Sequence, residues 1–318
     1  MDAVFLDAGS LDRGDLDWEA LHATVSSLTC YDATSPADVT ARLDGAMIAI
    51  VNKVVIDREV LEACPSLALV CVVATGTNNV ELDAAADLGV RVVNCRDYAT
   101  DSVAEHVVGL MLSLVRHLPQ YNQDVRAGAW HASPFFCRLD YPITELNQLT
   151  LGIVGYGNLG QATAALAQAL GMTVQVAEHQ GQSHPREGRV PFETCLQDSD
   201  IVTLHCPLTE KTQGLIGDKE LALIGQSGYL INTARGALVD EPALADALAD
   251  GRLAGAALDV LSEEPPSGSN PLLTQQPGNL LITPHCAWGS LTARRQVVAQ
   301  TAANIRAFAV GELVRVVV

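Results

Sequence analysis

The sequence is short of positive charge, of aromatic residues, of closely spaced cysteines and of long apolar runs. Lys plus Arg number 19 against 37 Asp plus Glu, a formal net charge of −18, and no run of Lys or Arg offsets it locally. Nucleic acid phosphates and anionic membrane surfaces would repel such a chain. Aromatics make up 4% of the residues, too few for a base-stacking surface. The eight cysteines, Cys30, Cys64, Cys71, Cys95, Cys137, Cys195, Cys206 and Cys286, are scattered, and no two are separated by only two residues. That pattern excludes a zinc ribbon or a thioredoxin-type site, and no metal is expected. Cys71, inside LALVCVVA, reads as a small core residue. A reducing, cytoplasmic compartment is the expected location. The first residues, MDAVFLDAGSLDRGD, lack the basic and apolar parts of a signal peptide. The longest apolar run, VVGLMLSLV, is far shorter than the roughly 20 residues that span a bilayer.

What is present is a core-forming composition: 318 residues, 48% hydrophobic and 18% charged. That length predicts two domains. Apolar runs recur at 4–6, 47–51, 67–73, 91–94, 150–155, 173–177, 201–205, 229–232, 255–260 and 280–283, with helical patterns such as 159–170 and 241–248 between them. Alternation of this kind is the signature of βα repeats and parallel sheets covered on both faces, an α/β fold. Residues 101–118 read as one long helix, apolar on more than one face and therefore buried, started by Thr100 or Asp101 and followed by Pro119. Residues 119–149 read as irregular, 262–271 as a loop, and 290–310 as a closing helix.

In mid-chain an apolar strand runs into Gly155-Tyr-Gly157-Asn158-Leu159-Gly160, then a helix, then a second strand ending at Glu178. A lone GxGxxG is weak, but here the whole βαβ context accompanies it. Gly155 permits the tight turn, Gly157 lets backbone approach a pyrophosphate, and Gly160 lets the helix pack close to its strand. The helix N-terminus then faces the phosphates with its positive dipole end. Glu178 stands near the expected spacing to accept hydrogen bonds from the adenosine ribose, and a carboxylate there disfavours a 2′-phosphate. His179, Gln180 and Gly181 follow it with no Arg or Lys among them. The expected cofactor is therefore NAD(H).

Three later segments place a chemical side chain just beyond an apolar strand, where open α/β sheets bind ligands: LINTARGALVD at 230–240, AGAALDVLSEEPP at 254–266 and LLITPHCAWGS at 280–290. The side chains are Arg235, Glu264 and His285. A guanidinium can hold a carboxylate and polarise a neighbouring ketone. An imidazolium can deliver a proton to the developing alkoxide, and a carboxylate can hold the imidazole and favour its charged form.

Together GYGNLG, HCPLT at 205–209, NTARG at 232–236, ALDV followed by EEP, and TPH make the chain resemble the D-isomer-specific 2-hydroxyacid dehydrogenases over nearly its whole length. The resemblance implies a Rossmann-type doubly wound parallel sheet for the cofactor at 97–288. It also implies a smaller flavodoxin-like α/β substrate domain assembled from 1–96 and 289–318, with the active site in the cleft. It implies that Arg235 binds substrate, that His285 is the proton donor and acceptor, and that Glu264, directly before the proline, supports it. Asn158, Leu159, Cys206, Pro207, Thr233, Ala234, Asp259, Arg235 and His285 are implied cofactor contacts, Asp259 through the carboxamide.

VVATGTNNVELDAAADLGV at 72–90, NKVV at 52–55, FCRLDYPITEL at 136–146 and PHCAWGS at 284–290 are similar to glycerate dehydrogenases, also called hydroxypyruvate reductases. That likeness implies reduction of hydroxypyruvate by NADH, with amides at Thr75 and Gly76 on the substrate carboxylate. Lys53 or Asn52 is implied at its hydroxymethyl end, and Trp288 along the pocket. Another 2-oxo acid, or an NAD-sensing corepressor role, is the alternative. A homodimer through the cofactor domain is also implied, with 101–118 and the region of Trp130 as contacts. Cys95-Arg96-Asp97 departs from the apolar-Pro-Gly of many relatives, and Glu81 stands where Asp is usual. Read without the family, Lys53 stands equally as surface charge, His205 as a wall residue, His106 as a packed residue and Cys286 as a space filler.

Overall fold

A computed structural model describes residues 1–182, 184–312 and 314–318. The chain divides into two compact units, Met1–Ala99 with Gly289–Val318, and Thr100–Trp288.

Among the described residues the first unit is built on five parallel strands, β1 (Asp2–Phe5), β2 (Ser27–Cys30), β3 (Ile48–Val51), β4 (Leu69–Val72) and β5 (Arg91–Val93), in the order β2-β1-β3-β4-β5. β3 and β4 are buried throughout, as continuous apolar runs require when both faces are covered. β2 carries no apolar run. It is an edge strand whose residues are exposed or half-buried, so burial left no hydrophobic signature there to read.

The returning helix Leu291–Ala309 starts at Ser290, whose hydroxyl accepts from the Ala293 N–H at 3.2 Å. Its buried face carries Val297, Val298, Thr301, Ala302, Asn304 and Ile305. The chain end then pairs with β5: the Val317 N–H donates to the Val92 carbonyl at 2.9 Å, and the Val92 N–H donates to Val318 at 2.9 Å. The Cys95-Arg96-Asp97 departure is seated on this helix. Cys95 is buried with Sγ 3.7 Å from Thr301 Oγ1, and Arg96 exchanges hydrogen bonds with the Gln300 amide. Asp97 takes φ +56°, a left-handed backbone that Asp tolerates better than most residues.

Among the described residues the second unit holds six parallel strands, β6 (Thr150–Val154), β7 (Thr173–Val176), β8 (Ile201–Leu204), β9 (Tyr229–Asn232), β10 (Gly255–Leu258) and β11 (Leu280–Ile282), ordered β11-β10-β9-β8-β6-β7. An isolated parallel bridge between Ala177 and Val190 extends the sheet beyond β7. Strand order reverses between β6 and β8, the switch point at which doubly wound sheets bind ligands. The expected α/β class with two parallel sheets is the observed one.

Two sequence expectations fail here. The helix begins at Thr100 but ends at Val115, and it is buried on one face only. Val103, Val107, Leu110, Met111 and Leu114 face inward, while Glu105, Gly109 and Leu112 are exposed. Pro119 does not merely follow that helix. It stands in the first turn of a second one, Leu118–Arg126, entered through His117 at φ +50°. Proline suits a first turn because its fixed φ is helical and its missing N–H would be unpaired there anyway.

Helix Glu241–Ala249 is capped by Asp240, whose carboxylate accepts from the Ala243 N–H at 3.1 Å. Asp240→Ala should cost about 1 kcal/mol in urea unfolding of this unit, whereas Asp240→Asn, which keeps an acceptor, should cost no more than about half of that.

Candidate active site

Because all strands of the second unit run parallel, the segments that leave their carboxyl ends gather along one edge of the sheet. β6 leads into the glycine turn. Gly155 takes φ +95°, and a Cβ there would lie 2.6 Å from the Cys206 nitrogen, so only glycine lets the turn pass the end of β8. A Cβ at Gly160 would overlap the Gly155 carbonyl, so glycine also sets how closely helix Asn158–Ala169 approaches its strand. At Gly157 a Cβ would meet nothing within 4 Å: the backbone faces open space at the helix N-terminus. Asn158 is exposed and Leu159 half-buried beside it.

The adjacent strand ends fit a dinucleotide. Thr233 Oγ1, just beyond β9, and His205 Nδ1, just beyond β8, are buried and have no hydrogen-bond partner among the described residues. Buried polar atoms normally have one. His205 is pushed down to about 4 by burial, so its ring stays neutral near pH 7. Cys206 is half-buried and Pro207 exposed on the same loop.

Glu178, beyond β7, is buried and fully engaged. It accepts from the His179 N–H at 2.8 Å, from the Arg186 N–H at 3.0 Å, and from Arg186 Nε and Nη2 at 2.8 and 2.5 Å. The Arg186 guanidinium holds this carboxyl far below the usual carboxylate range. The expectation that no cation attends Glu178 is thus corrected. The Arg arrives from eight residues downstream on a loop that folds back, beyond the reach of an adjacent-residue reading.

The proposed reacting groups lie beyond β9, β10 and β11. His285 Nδ1 stands 2.6 Å from Glu264 Oε2, and Glu264 Oε1 accepts from the Leu261 N–H at 3.0 Å. The His285 side chain is 29% exposed, so the ring is open on one side while its other nitrogen is held. His285 takes φ +50°, an uncommon backbone for a residue with a Cβ and one found at functional sites. Arg235 is half-buried in a turn shaped by fully buried Asn232. The Asn232 Nδ2 donates to the Arg235 carbonyl at 2.8 Å, and its Oδ1 accepts from Ala234 N–H at 3.0 Å.

Asp259 braces the His285 loop from beneath. It is 1% exposed and accepts from Thr283 Oγ1 at 2.6 Å and from the Cys286 and Ala287 N–H groups, each at 2.9 Å. Its backbone carbonyl accepts from His285 N–H at 2.8 Å. His106 Nε2 lies 3.1 Å from Thr283 Oγ1, which ties helix Thr100–Val115 to this loop. The Trp288 indole N–H donates to the His285 carbonyl at 2.9 Å, so Trp288 buttresses the loop from its far end. The Glu264 loop is fixed similarly: buried Glu241 accepts from Ser262 N–H at 2.6 Å, and from Ser262 Oγ and Asn270 Nδ2 at 2.8 Å.

In the first unit, Thr75 and Gly76 follow β4, and the Thr75 carbonyl accepts from Asn94 Nδ2 at 2.8 Å. Lys53 is exposed beyond β3, and Asn52 beside it is buried. Both have their N–H groups held by Asp7, at 2.7 and 2.8 Å.

Sequence reading passed over Asn232, Glu241, Asp7 and Arg186. The first three signal themselves only as polar residues at strand ends or helix starts, a pattern that solvated residues share.

A family model described as "D-isomer specific 2-hydroxyacid dehydrogenase, NAD binding domain" matches residues 108–287. The chain is 44% identical over 310 residues to a glycerate dehydrogenase of Methylorubrum extorquens, covering 97% of this chain and 96% of that one. It is 38% identical over 323 residues to a hydroxypyruvate reductase of Blautia hydrogenotrophica, covering 100% and 99%. Among solved structures, a D-lactate dehydrogenase of Aquifex aeolicus complexed with NAD and lactic acid superposes with a TM-score of 0.82 at 27% identity, over 98% and 96% of the two chains.

An amide at position 259 would turn one NH2 toward the donors its carboxylate now satisfies. Asp259→Asn should therefore loosen the His285 loop and lower kcat about tenfold to a hundredfold, with the circular dichroism of the folded chain unchanged. Steady-state kinetics on the purified variant checks this.

Proposed function

Because the chain belongs to the D-isomer-specific 2-hydroxyacid dehydrogenases, we propose that it reduces hydroxypyruvate to D-glycerate with NADH, and catalyses the reverse. It is an NAD-dependent oxidoreductase by family. The substrate choice rests on the full-length likeness to proteins named glycerate dehydrogenase and hydroxypyruvate reductase. The observation that carries the mechanism is the 2.6 Å contact between His285 Nδ1 and Glu264 Oε2.

Gly155, Gly157, Asn158, Leu159 and Gly160 would hold the pyrophosphate. Glu178 would face the adenosine ribose, Cys206 and Pro207 would contact the cofactor, and Thr233, Ala234 and Asp259 would line the nicotinamide. When bound, that group supplies the hydride. The protein's own work is binding, orientation and proton transfer. Arg235 holds the carboxylate of the oxo acid and draws electron density from its ketone. Amides at Thr75 and Gly76 are proposed as further carboxylate donors, Lys53 or Asn52 as contacts at the hydroxymethyl end, and Trp288 as a wall. Glu264 accepts from Nδ1 of the charged imidazole, which leaves Nε2–H as the donor to the new alkoxide. The imidazolium is the competent form for reduction. In oxidation the neutral ring takes the hydroxyl proton.

We place the enzyme in the cytoplasm, since all eight cysteines are free thiols. No described helix is long and apolar enough to cross a membrane. We further propose a homodimer. Trp130, Phe135, Phe136 and Leu139 are 50%, 72%, 90% and 76% exposed on one short segment, a concentration of apolar surface that a second copy would cover.

His285→Gln should lower hydroxypyruvate reduction about a hundredfold to ten-thousandfold while NADH still binds by fluorescence. Near wild-type turnover would reject the acid–base role. Arg235→Ala should raise KM for hydroxypyruvate and lower kcat. Glu264→Gln removes the charged acceptor that holds Nδ1 and orients the ring, so it should lower kcat for reduction about tenfold to a hundredfold with NADH binding kept. A kcat equal to that of the wild type would contradict the pair. Phe135→Asp with Phe136→Asp should convert the dimer to monomers in sedimentation velocity, and an unchanged mass would place the interface elsewhere.

A further inference from the structure

Helix Thr100–Val115 and the segments beyond β10 and β11 bring together three side chains of the kinds that ligate metals. Among the described residues, a ring nitrogen of His106, a carboxylate oxygen of Asp259 and the Cys286 sulfur lie within 4.8 Å of one another. His106 Nε2 stands 3.7 Å from Asp259 Oδ1. Tetrahedral zinc, with bonds of about 2.0–2.3 Å, sets its ligand atoms roughly 3.3–3.6 Å apart, so small side-chain rotations close this set. No cysteine spacing announces the group, because its members come from three separate segments. Their exposure suits an ion that enters from solvent. The Asp259 side chain is 1% exposed, the His106 side chain 22%, and Cys286 is exposed. The thiol is the entry point and the carboxylate the buried anchor.

The hydrogen bonds around Asp259 leave room for a cation. Thr283 Oγ1 donates to Asp259 Oδ1 at 2.6 Å and lies 3.1 Å from His106 Nε2. A hydroxyl that gives its proton to the carboxylate accepts from that nitrogen, so a metal takes the place of the Nε2 proton. Rotation of Thr283 frees one lone pair of Oδ1, while the Cys286 N–H keeps the other and the Ala287 N–H keeps Oδ2. The loop that carries His285 therefore keeps both amide anchors. Burial and the neighbouring Asp259 carboxylate push the Cys286 thiol up, so its proton leaves to solvent as the sulfur–metal bond forms.

We propose that His106, Asp259 and Cys286 form a site for a soft divalent cation, Zn²⁺ above all, whose occupancy opposes NADH binding. Thiolate and imidazole favour zinc over magnesium or calcium. Thiolate and carboxylate together offset its two charges, and three protein ligands leave the fourth position to water. The opposition to NADH rests on the reading of Asp259 as a nicotinamide contact, since a carboxylate held by the metal is no longer offered to the carboxamide.

The test starts from the full-length protein freed of metal by a chelator. Zn²⁺ titrated by calorimetry is expected to bind with a Kd of about 1 μM or tighter. Co²⁺ in its place should give a near-ultraviolet thiolate-to-cobalt charge-transfer band, which requires a cysteine ligand. Loss of an outer-shell partner alone costs about tenfold to a hundredfold in metal affinity, so loss of a ligand should cost at least that. Cys286→Ala should therefore abolish the band and raise the Zn²⁺ Kd at least about tenfold, and His106→Gln should raise it likewise. Each variant keeps the test valid if the other disturbs the loop. Saturating Zn²⁺ should raise the NADH Kd of the wild type about fivefold to a hundredfold, and leave that of Cys286→Ala unmoved. No zinc binding by the wild type, a zinc affinity unmoved in both variants, or a cobalt complex without the thiolate band would overturn the site. Zinc bound there with the NADH Kd unmoved would overturn the opposition to NADH. Failure of NADH to bind the metal-free protein would remove the dinucleotide reading, and the cobalt band would still decide the metal site.

Discussion

A carboxylate buried away from water must be filled by donors from the chain itself, because an unpaired buried charge is strongly destabilising. That requirement builds the loops at this site. Asp259 draws in the Thr283 hydroxyl and the Cys286 and Ala287 amides, and so fixes the path of the chain through His285. Glu241 does the same for Ser262 and Asn270, on either side of Glu264. Asp7 gathers three consecutive amides, Asn52, Lys53 and Val54, in the first unit. None of these acids need touch a reactant to matter. Each turns an irregular segment beyond a strand into a fixed platform, which is what a reacting pair at 2.6 Å separation demands.

The same logic explains what could be read in the sequence. Buried strands such as β3 and β8 announce themselves because an unbroken apolar run fits little else. The glycine turn is legible because tight turns and close packing at Gly155 and Gly160 admit one residue type. Arg235, Glu264 and His285 are legible through short motifs at strand ends. β2 was not, since an edge strand with exposed faces has no pattern to impose. The helix Leu118–Arg126 was hidden behind a proline that starts a helix as readily as it follows one. The bracing acids were hidden because burial, not identity, distinguishes them from solvated acids. Arg186 was hidden because its partner is reached through a loop of eight residues, where chain path rather than composition decides the contact.

Charge supplies the remaining constraint. A strongly acidic chain that handles anionic substrates and cofactors must concentrate its few cations where they act. Arg235 stands in a turn whose backbone is fixed by Asn232, and Arg186 closes on Glu178. The acidic remainder discourages polyanions, while local guanidinium groups and helix amides recognise small ones.

The most direct measurement follows NADH absorbance with the purified protein across hydroxypyruvate, glyoxylate, pyruvate, a bulkier oxo acid and a phosphorylated one. The account predicts the highest kcat/KM on hydroxypyruvate. A clear preference for a different oxo acid would contradict the substrate while keeping the chemistry, and binding of NADH without turnover on any of them would contradict the enzyme reading itself.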